Sequence, residues 1–415
     1  MSEEATNPAP ARPTAVLAAA VVAILATIAL RVPSLWTHPR FWGEEGLRYF
    51  QFAWSRSLVD ALTSVPQHYY NLGCQVSSQL ALCVPLEHAP LVTTAFALLT
   101  QALPALLLLH IARRSAWSAR STAVAVAIAV FATTHDAWLS STSSANHLVL
   151  AAALLLQFAE VTALGPFAAG ILVAAALSTP HAFALLPIAV LHARLRSRAS
   201  RRAAYALGAG LAIQASVMLA LGLPTGRTVS IEPEIALAVL TTKCYVLPIA
   251  GEAMADRIGA QMLVAYLDGT FWHWTPLIVG PVILFWGALL RTRNNHALML
   301  AVCSYTLVAA SVVGCLGHKS TLVGGLNQSR YFMAANALGV LAALEGARTG
   351  PRGWARWVLG TFVACALIHW IALYSRPDPT AEGADWRTEV RAWRENPTHM
   401  LETRPNGWAL ELPPR

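Results

Sequence analysis

The segment Phe41-Trp42-Gly43-Glu44-Glu45-Gly46 sets two adjacent carboxylates between glycines and beside two aromatic residues. Such a pair suits a general base or a metal ligand. Partial burial near Trp42, with a like charge next door, raises one carboxylate toward the range where it accepts a proton at neutral pH. Acidic residues also favour a helix N-terminus through the dipole, and a helix is predicted over Leu47–Leu62. A second polar group is His135-Asp136, followed by Asn146-His147. Histidines there suit a phosphate or a metal, and polar capping of helix ends is the other reading. The third group runs from His318-Lys319 to Gln328-Ser329-Arg330-Tyr331. Arginine contacts phosphate bidentately, while an interfacial arginine–tyrosine anchor accounts for the same residues. His181 follows Pro180 at a break between apolar runs, where a polar residue satisfies freed backbone groups.

The elements that must position these residues are set by composition. The chain has 415 residues, 56% hydrophobic and 12% charged, with a mean hydropathy of +0.51. Soluble domains carry about a quarter charged residues. A cytosolic enzyme, a disordered chain and a disulfide-stapled secreted module are therefore excluded, and an integral membrane protein is implied. The formal charge is +8, yet the arginines sit in short loops between apolar runs, which is an orientation pattern and not a nucleic-acid footprint. Of the 29 basic residues only Lys243 and Lys319 are lysine.

A bilayer core takes about 20 apolar helical residues. Such runs begin at Thr14–Leu35, after an acidic, proline-containing start (residues 1–13) that does not read as a secretory signal. They continue at Pro90–Ile111, Ser121–Thr134, His147–Leu164, Ala203–Leu223, Pro276–Leu290, Ala297–Leu316, Tyr331–Leu344 and Trp357–Tyr374. Between them Pro166–Leu195 is too long for one span and is interrupted at Ser178-Thr179-Pro180-His181, which predicts two short helices meeting at a turn. The expected fold is an all-α polytopic membrane protein with about 11 transmembrane helices. Arginines gather in alternate loops (113–120, 194–202, 291–293 and 348–356), so by the positive-inside rule those loops and the N-terminus are cytoplasmic. The transmembrane domain covers 14–374. Its outer segments are 36–89 and 224–274, the latter expected as interfacial or re-entrant helices, and a small extracytoplasmic C-terminal tail covers 375–415.

In the tail, Asp385–Glu395 reads as an amphipathic helix with Trp386 and Trp393 on one face. Beyond it Pro405-Asn406-Gly407 forms a hairpin-type turn between Met400–Thr403 and Trp408–Leu412. Cys74 and Cys83 share one outer loop, where a pairing is open. The centres of the spans hold almost no ionisable residues, which disfavours proton-coupled transport. Arg31 and His369 near the outer ends are explained by snorkelling. No phosphate-cradling Gly-Lys-Ser/Thr loop, Gly-x-Ser-x-Gly or His-Glu-x-x-His motif occurs.

This order of features resembles the GT-C superfamily of membrane glycosyltransferases, which use polyprenyl-phosphate sugars. Phe41–Gly46 resembles the Phe-Trp-Ala-Glu-Asp-Gly segment of a mostly uncharacterised bacterial branch, and Leu86–Leu91, Asn146-His147-Leu148, Ser329–Phe332, Trp386, Trp393 and Pro405–Trp408 are similar to further segments of it. The resemblance implies a GT-C-like fold in the bacterial inner (plasma) membrane. It also implies sugar transfer from a polyprenyl-phosphate donor to an envelope lipid or glycan, with membrane lipids and envelope-biosynthesis proteins as partners. The implied roles are a base at Glu45 or Glu44 and a phosphate site of Arg330, Lys319, His318 and Tyr331. The sugar and acceptor pocket would be His135, Asp136, Asn146, His147 and His181. No cofactor is required, and a divalent metal is left open. The family aspartate is Glu45 here, so which carboxylate is the base stays undecided. A transporter or flippase of lipid-linked substrates, and a scaffold of an envelope complex, are the alternatives.

Overall fold

Each run expected to cross the bilayer folds as a helix in the computed structural model, which describes residues 14–134, 138–162, 165–195, 197–222, 232–314, 320–323, 328–378 and 383–414. The principal helices are α1 (Thr14–Leu30), α2 (Ala89–Arg114), α3 (Ala119–Phe131), α4 (Ser144–Gln157), α5 (Pro166–Ala176), α6 (Leu186–Leu195) and α7 (Arg198–Leu221). They continue with α8 (Pro233–Ala250), α9 (Glu252–Leu267), α10 (Thr275–Thr292), α11 (Asn295–Gly314), α12 (Met333–Thr349), α13 (Trp354–Tyr374) and α14 (Trp386–Glu395). A small sheet pairs β1 (Leu401–Glu402) with β2 (Ala409–Leu410) in antiparallel register, Leu401 opposite Leu410. Among the described residues six helices are long and apolar enough to cross a membrane: Leu86–Arg114, Arg198–Leu221, Pro233–Ala250, Phe271–Thr292, Asn295–Gly314 and Trp354–Tyr374. The protein is a nearly all-α, multi-pass membrane protein.

Burial sorts the helices. All 14 residues of α4 are buried, as suits a helix that is apolar on every side and must sit inside the bundle. Most of α12 is buried too, packed along α11 and α13. In contrast, α7 and α10 turn Tyr205, Ile213, Leu219, Ile283 and Leu284 outward, an apolar exposure that only lipid makes favourable. The break at 178–180 is where the sequence places it: Pro166–Ala176 and Pro180–Arg194 meet at 117°. Thr179 caps the second helix by accepting the His181 N–H at 3.3 Å, and Gly210 of α7 lets Ala176 approach where a Cβ would meet it at 2.7 Å.

Three points of the sequence reading gain detail. First, α8 is one of the six long apolar helices. Its acidic residues, Glu232 and Glu234, sit at its N-terminal end, where the dipole favours them. The charge left inside is Lys243, which is fully buried. α8 and α9 fold back on each other about Gly251 (φ 81°), and the Tyr266 hydroxyl donates to Glu232 at 3.2 Å at the open end. Second, Arg31 is held by specific partners. Its guanidinium lies 4.2 Å over the Trp138 ring and its Nε donates to the Tyr374 carbonyl at 3.2 Å, fastening α1 to α13. Third, Cys74 and Cys83 are unpaired thiols, since Cys74 is on the buried face of the helix Leu72–Ala81 and Cys83 lies exposed beyond its end.

The C-terminal segment is a built part of the molecule. Asp385 caps α14 by accepting the Thr388 N–H at 3.2 Å. Trp386 is fully buried, donates its Nε1–H to the Leu86 carbonyl at 2.8 Å and meets Phe41 edge-on with 5.1 Å between ring centroids. Trp393 meets Trp54 edge-on in the same way and donates to the Leu412 carbonyl at 2.9 Å. Trp386→Ala removes a buried aromatic and its hydrogen bond together, a loss of about 3–5 kcal/mol. The expected outcome is a tail cut by protease between α13 and α14 under conditions where the wild-type tail is protected, with the helical bundle intact by circular dichroism.

Candidate functional site

The two carboxylates project in different directions because of how their segment is held. Phe41 and Trp42 run against the tail, and Gly43 opens the helical turn. The Arg404 N–H donates to the Phe41 carbonyl at 2.9 Å, and the Gly43 N–H donates to the Arg404 carbonyl at 2.6 Å. Gly43 and Gly46 are required by this contact, not by the chemistry of the pair: a Cβ at 43 would lie 2.5 Å from the Trp408 ring, and one at 46 would lie 2.9 Å from Leu410. The chain then enters a wide π-helical turn, Glu45–Phe50, of the sort that often marks functional sites.

Glu45 points inward and is 2% exposed. Its Oε2 accepts the Ser141 N–H at 3.0 Å, from the short 3₁₀ turn Ser141–Ser143 that opens α4. Burial pushes its carboxyl above the ordinary value. Hydrogen bonds from the Thr93 side chain on α2 and from Ser141, with the charge of Arg404, act in the opposite sense. The Ser141 hydroxyl also reaches the Cys74 thiol at 3.8 Å, and burial beside Glu45 keeps that thiol protonated, well above its usual range.

Glu44 turns the other way and meets Arg330, whose Nη2 lies 3.2 Å from its Oε1. The guanidinium sits 5.2 Å over the Tyr331 ring and bonds the Tyr331 hydroxyl at 3.3 Å. Tyr331 in turn meets His181 edge-on at 5.7 Å. Tyr69, raised above its usual range by burial, lies within electrostatic reach of Tyr331, Glu44 and Arg330. Glu44, Arg330, Tyr331 and His181, singled out from three separate stretches of sequence, thus share one place at one end of the bundle. Glu45 stands on the other side of the same turn.

Asn146 and His147 lie in the first turn of α4, just beyond the Ser141 turn that binds Glu45, and both are buried. The two ring nitrogens of His147 have no hydrogen-bond partner among the described residues. His135, Asp136, His318 and Lys319 lie outside the described residues. Two cations that sequence reasoning did not single out belong to the site. Lys243, on the π-turn Leu240–Val246 of α8, donates to the Ser329 hydroxyl at 3.4 Å, one residue from Arg330. Arg404, 1% exposed, donates to the Leu139 carbonyl at 3.1 Å and lies 5.5 Å from the Trp42 ring. A lone lysine amid an apolar helix was the available signal for the first, and nothing local signals the second. Among the described residues no three His, Cys, Asp or Glu side chains come together as a metal-binding set. Glu44 is engaged with Arg330.

No family model, curated protein or solved structure matches this chain. The geometry sets a buried carboxylate and a carboxylate–arginine pair side by side at one end of a multi-pass bundle.

The sign of the Glu45 effect on stability follows from its raised carboxyl. The neutral form is favoured in the fold, so its contribution is fully present below the ordinary glutamate range and is lost as pH rises through the raised value. Glu45→Gln keeps the acceptor for Ser141 and cannot ionise. Its thermal unfolding should match wild type at low pH and exceed it increasingly as pH climbs past the ordinary carboxylate range. A difference independent of pH would contradict the burial described.

Proposed function

We propose that the chain is a GT-C-like membrane glycosyltransferase. It would move a sugar from a polyprenyl-phosphate donor to an envelope lipid or glycan at the outer face of the bacterial inner membrane. In this reading it crosses the membrane about 11 times, with the N-terminus inside and the tail outside. The observation that carries the proposal is the division of labour between neighbouring glutamates: one buried and hydrogen-bonded with a raised carboxyl, the other engaged with an arginine beside a tyrosine.

The acceptor hydroxyl attacks the anomeric carbon. Its oxygen–carbon bond forms as the bond to the donor phosphate breaks, and the electron pair leaves with the phosphate. Glu45 takes the hydroxyl proton, for which a carboxyl raised by burial is better matched than an ordinary one. Arg330 receives the departing phosphate, oriented by Glu44 and by the Tyr331 ring. Lys243 adds a second positive charge next to Ser329, and His318 and Lys319 are proposed for the same phosphate. Cations placed where negative charge develops stabilise the transition state more than the ground state. Asn146, His147, His181, His135 and Asp136 are proposed to line the sugar and acceptor pocket. The scheme uses no metal. The prenyl tail lies along the apolar flank of the bundle, and lipids surround it.

A second reading, a transporter or flippase of lipid-linked substrates, is favoured by Lys243. A fully buried lysine inside a helix long enough to cross a membrane is the kind of residue that lines a substrate pathway.

The test is incubation of the protein in lipid nanodiscs with polyprenyl-phosphate sugars and envelope-lipid acceptors. Transfer or donor hydrolysis is expected. It should fall about a hundredfold or more in Glu45→Gln, and Arg330→Ala should cripple donor use while leaving the fold intact. Donor moved across a liposome bilayer without chemistry, and lost in Lys243→Met, would establish the transporter instead. Absence of any binding to lipid-linked sugars would refute both.

A further inference from the structure

Arg404 sits where packing alone gives no reason for a charge. The guanidinium is buried against Trp42 and Leu139, and its Nε and Nη1 groups have no hydrogen-bond partner among the described residues. Sinking an ion into protein costs several kcal/mol unless an opposite charge compensates it. The carboxylates that act on it are Asp378, at the exit of α13, and Glu45. Its backbone is locked in both directions to residues 41 and 43, so the side chain is aimed by the hairpin and not by its own rotamer freedom. The Leu139 carbonyl it holds lies two residues before the Ser141 N–H that binds Glu45, so one cation fastens both walls around that carboxylate.

The groups around Glu45 come from several elements. Thr93 projects from α2, Ser141 from the 3₁₀ turn and Arg404 from the hairpin. Cys74 projects from the helix Leu72–Ala81, and Glu44 precedes Glu45 on the same turn with Arg330 against it. Cys74 is neutral, Glu44 is matched by Arg330, and Thr93 and Ser141 carry no charge. Arg404 is the cation whose field reaches Glu45.

We propose that Arg404 is a positioning residue of the site, presented by the C-terminal hairpin so that its charge offsets part of the cost of burying the Glu45 carboxylate. The consequence for proton transfer rests on the glycosyltransferase reading. The electrostatic coupling does not.

The test is a difference-infrared titration of the full-length protein in nanodiscs, with carboxyl-labelled glutamate and the Glu45 band assigned by its loss in Glu45→Gln. In Arg404→Gln the Glu45 titration should move up by at least about one pH unit, a tenfold change in the ionised ratio. In Arg404→Lys it should stay near wild type. If the enzyme turns over, the acidic limb of its pH profile should move with the band. An unmoved titration in Arg404→Gln, with the tail still protease-protected, overturns the proposal even if sugar transfer is found. A moved titration upholds the coupling even if no sugar is transferred, so the two ideas fail separately. Should Arg404→Gln not fold, Arg404→Gln/Glu45→Gln decides. Recovery of the protected tail shows that Arg404 was compensating Glu45, and no recovery overturns the proposal.

Discussion

Between residues 41 and 43 the segment that follows α1 exchanges two backbone hydrogen bonds with Arg404, and one end of the molecule is arranged around that exchange. An extended strand fragment has little to bury by itself. Here it gains a neighbour on which Phe41, Trp386, Val390, Trp393, Leu401 and Leu410 close a second apolar core, distinct from the one inside the bundle. Each fully buried aromatic in such a core is worth roughly 1.5–3 kcal/mol. That is enough to hold a short helix and a two-residue ladder that would not persist in isolation. The glycines flanking the carboxylates follow from the same exchange, since Trp408 and Leu410 occupy the space a side chain would need.

Charge placement inside this frame follows the cost of desolvation. Glu45, Arg404 and Lys243 are all buried, and each has hydrogen-bonding oxygens or N–H groups or an opposite charge nearby. Glu44 and Arg330 are partly exposed, at 26% and 16% of the side chain, and such a pair adds little net stability. Its value is geometric: it fixes the guanidinium between a carboxylate and the Tyr331 ring. The site thus combines a costly buried carboxylate with an inexpensive, displaceable ion pair on the opposite side of one turn.

Periodicity made most of the helices legible. The apolar runs, the break at Ser178–His181, and the shared face of Trp386 and Trp393 depend on neighbours in sequence, and the structure has each of them. Glu44 and Arg330 were separately visible as chemistry-bearing residues, although nothing local pairs positions 44 and 330. What stayed hidden depends on contacts across the chain. Lys243 stands in a stretch with Glu232, Glu234 and Glu252, which makes it read as one charge of a surface helix. Its burial is caused by Ser329 and Phe332 from another segment. Arg404 reads as a polar tail residue until the hairpin is laid on Phe41 and Gly43. Arg31 likewise gains from across the chain a stack on Trp138 that its own segment does not announce.

The position of Arg404 along the chain has a temporal meaning. It follows every helix of the bundle, whereas Glu45 lies just after the first. During synthesis Glu45 is made before the bundle and Arg404 after it, so the two backbone hydrogen bonds to residues 41 and 43 can close only once every helix has been made, and a chain interrupted before residue 404 holds Glu45 without the cation whose field reaches it.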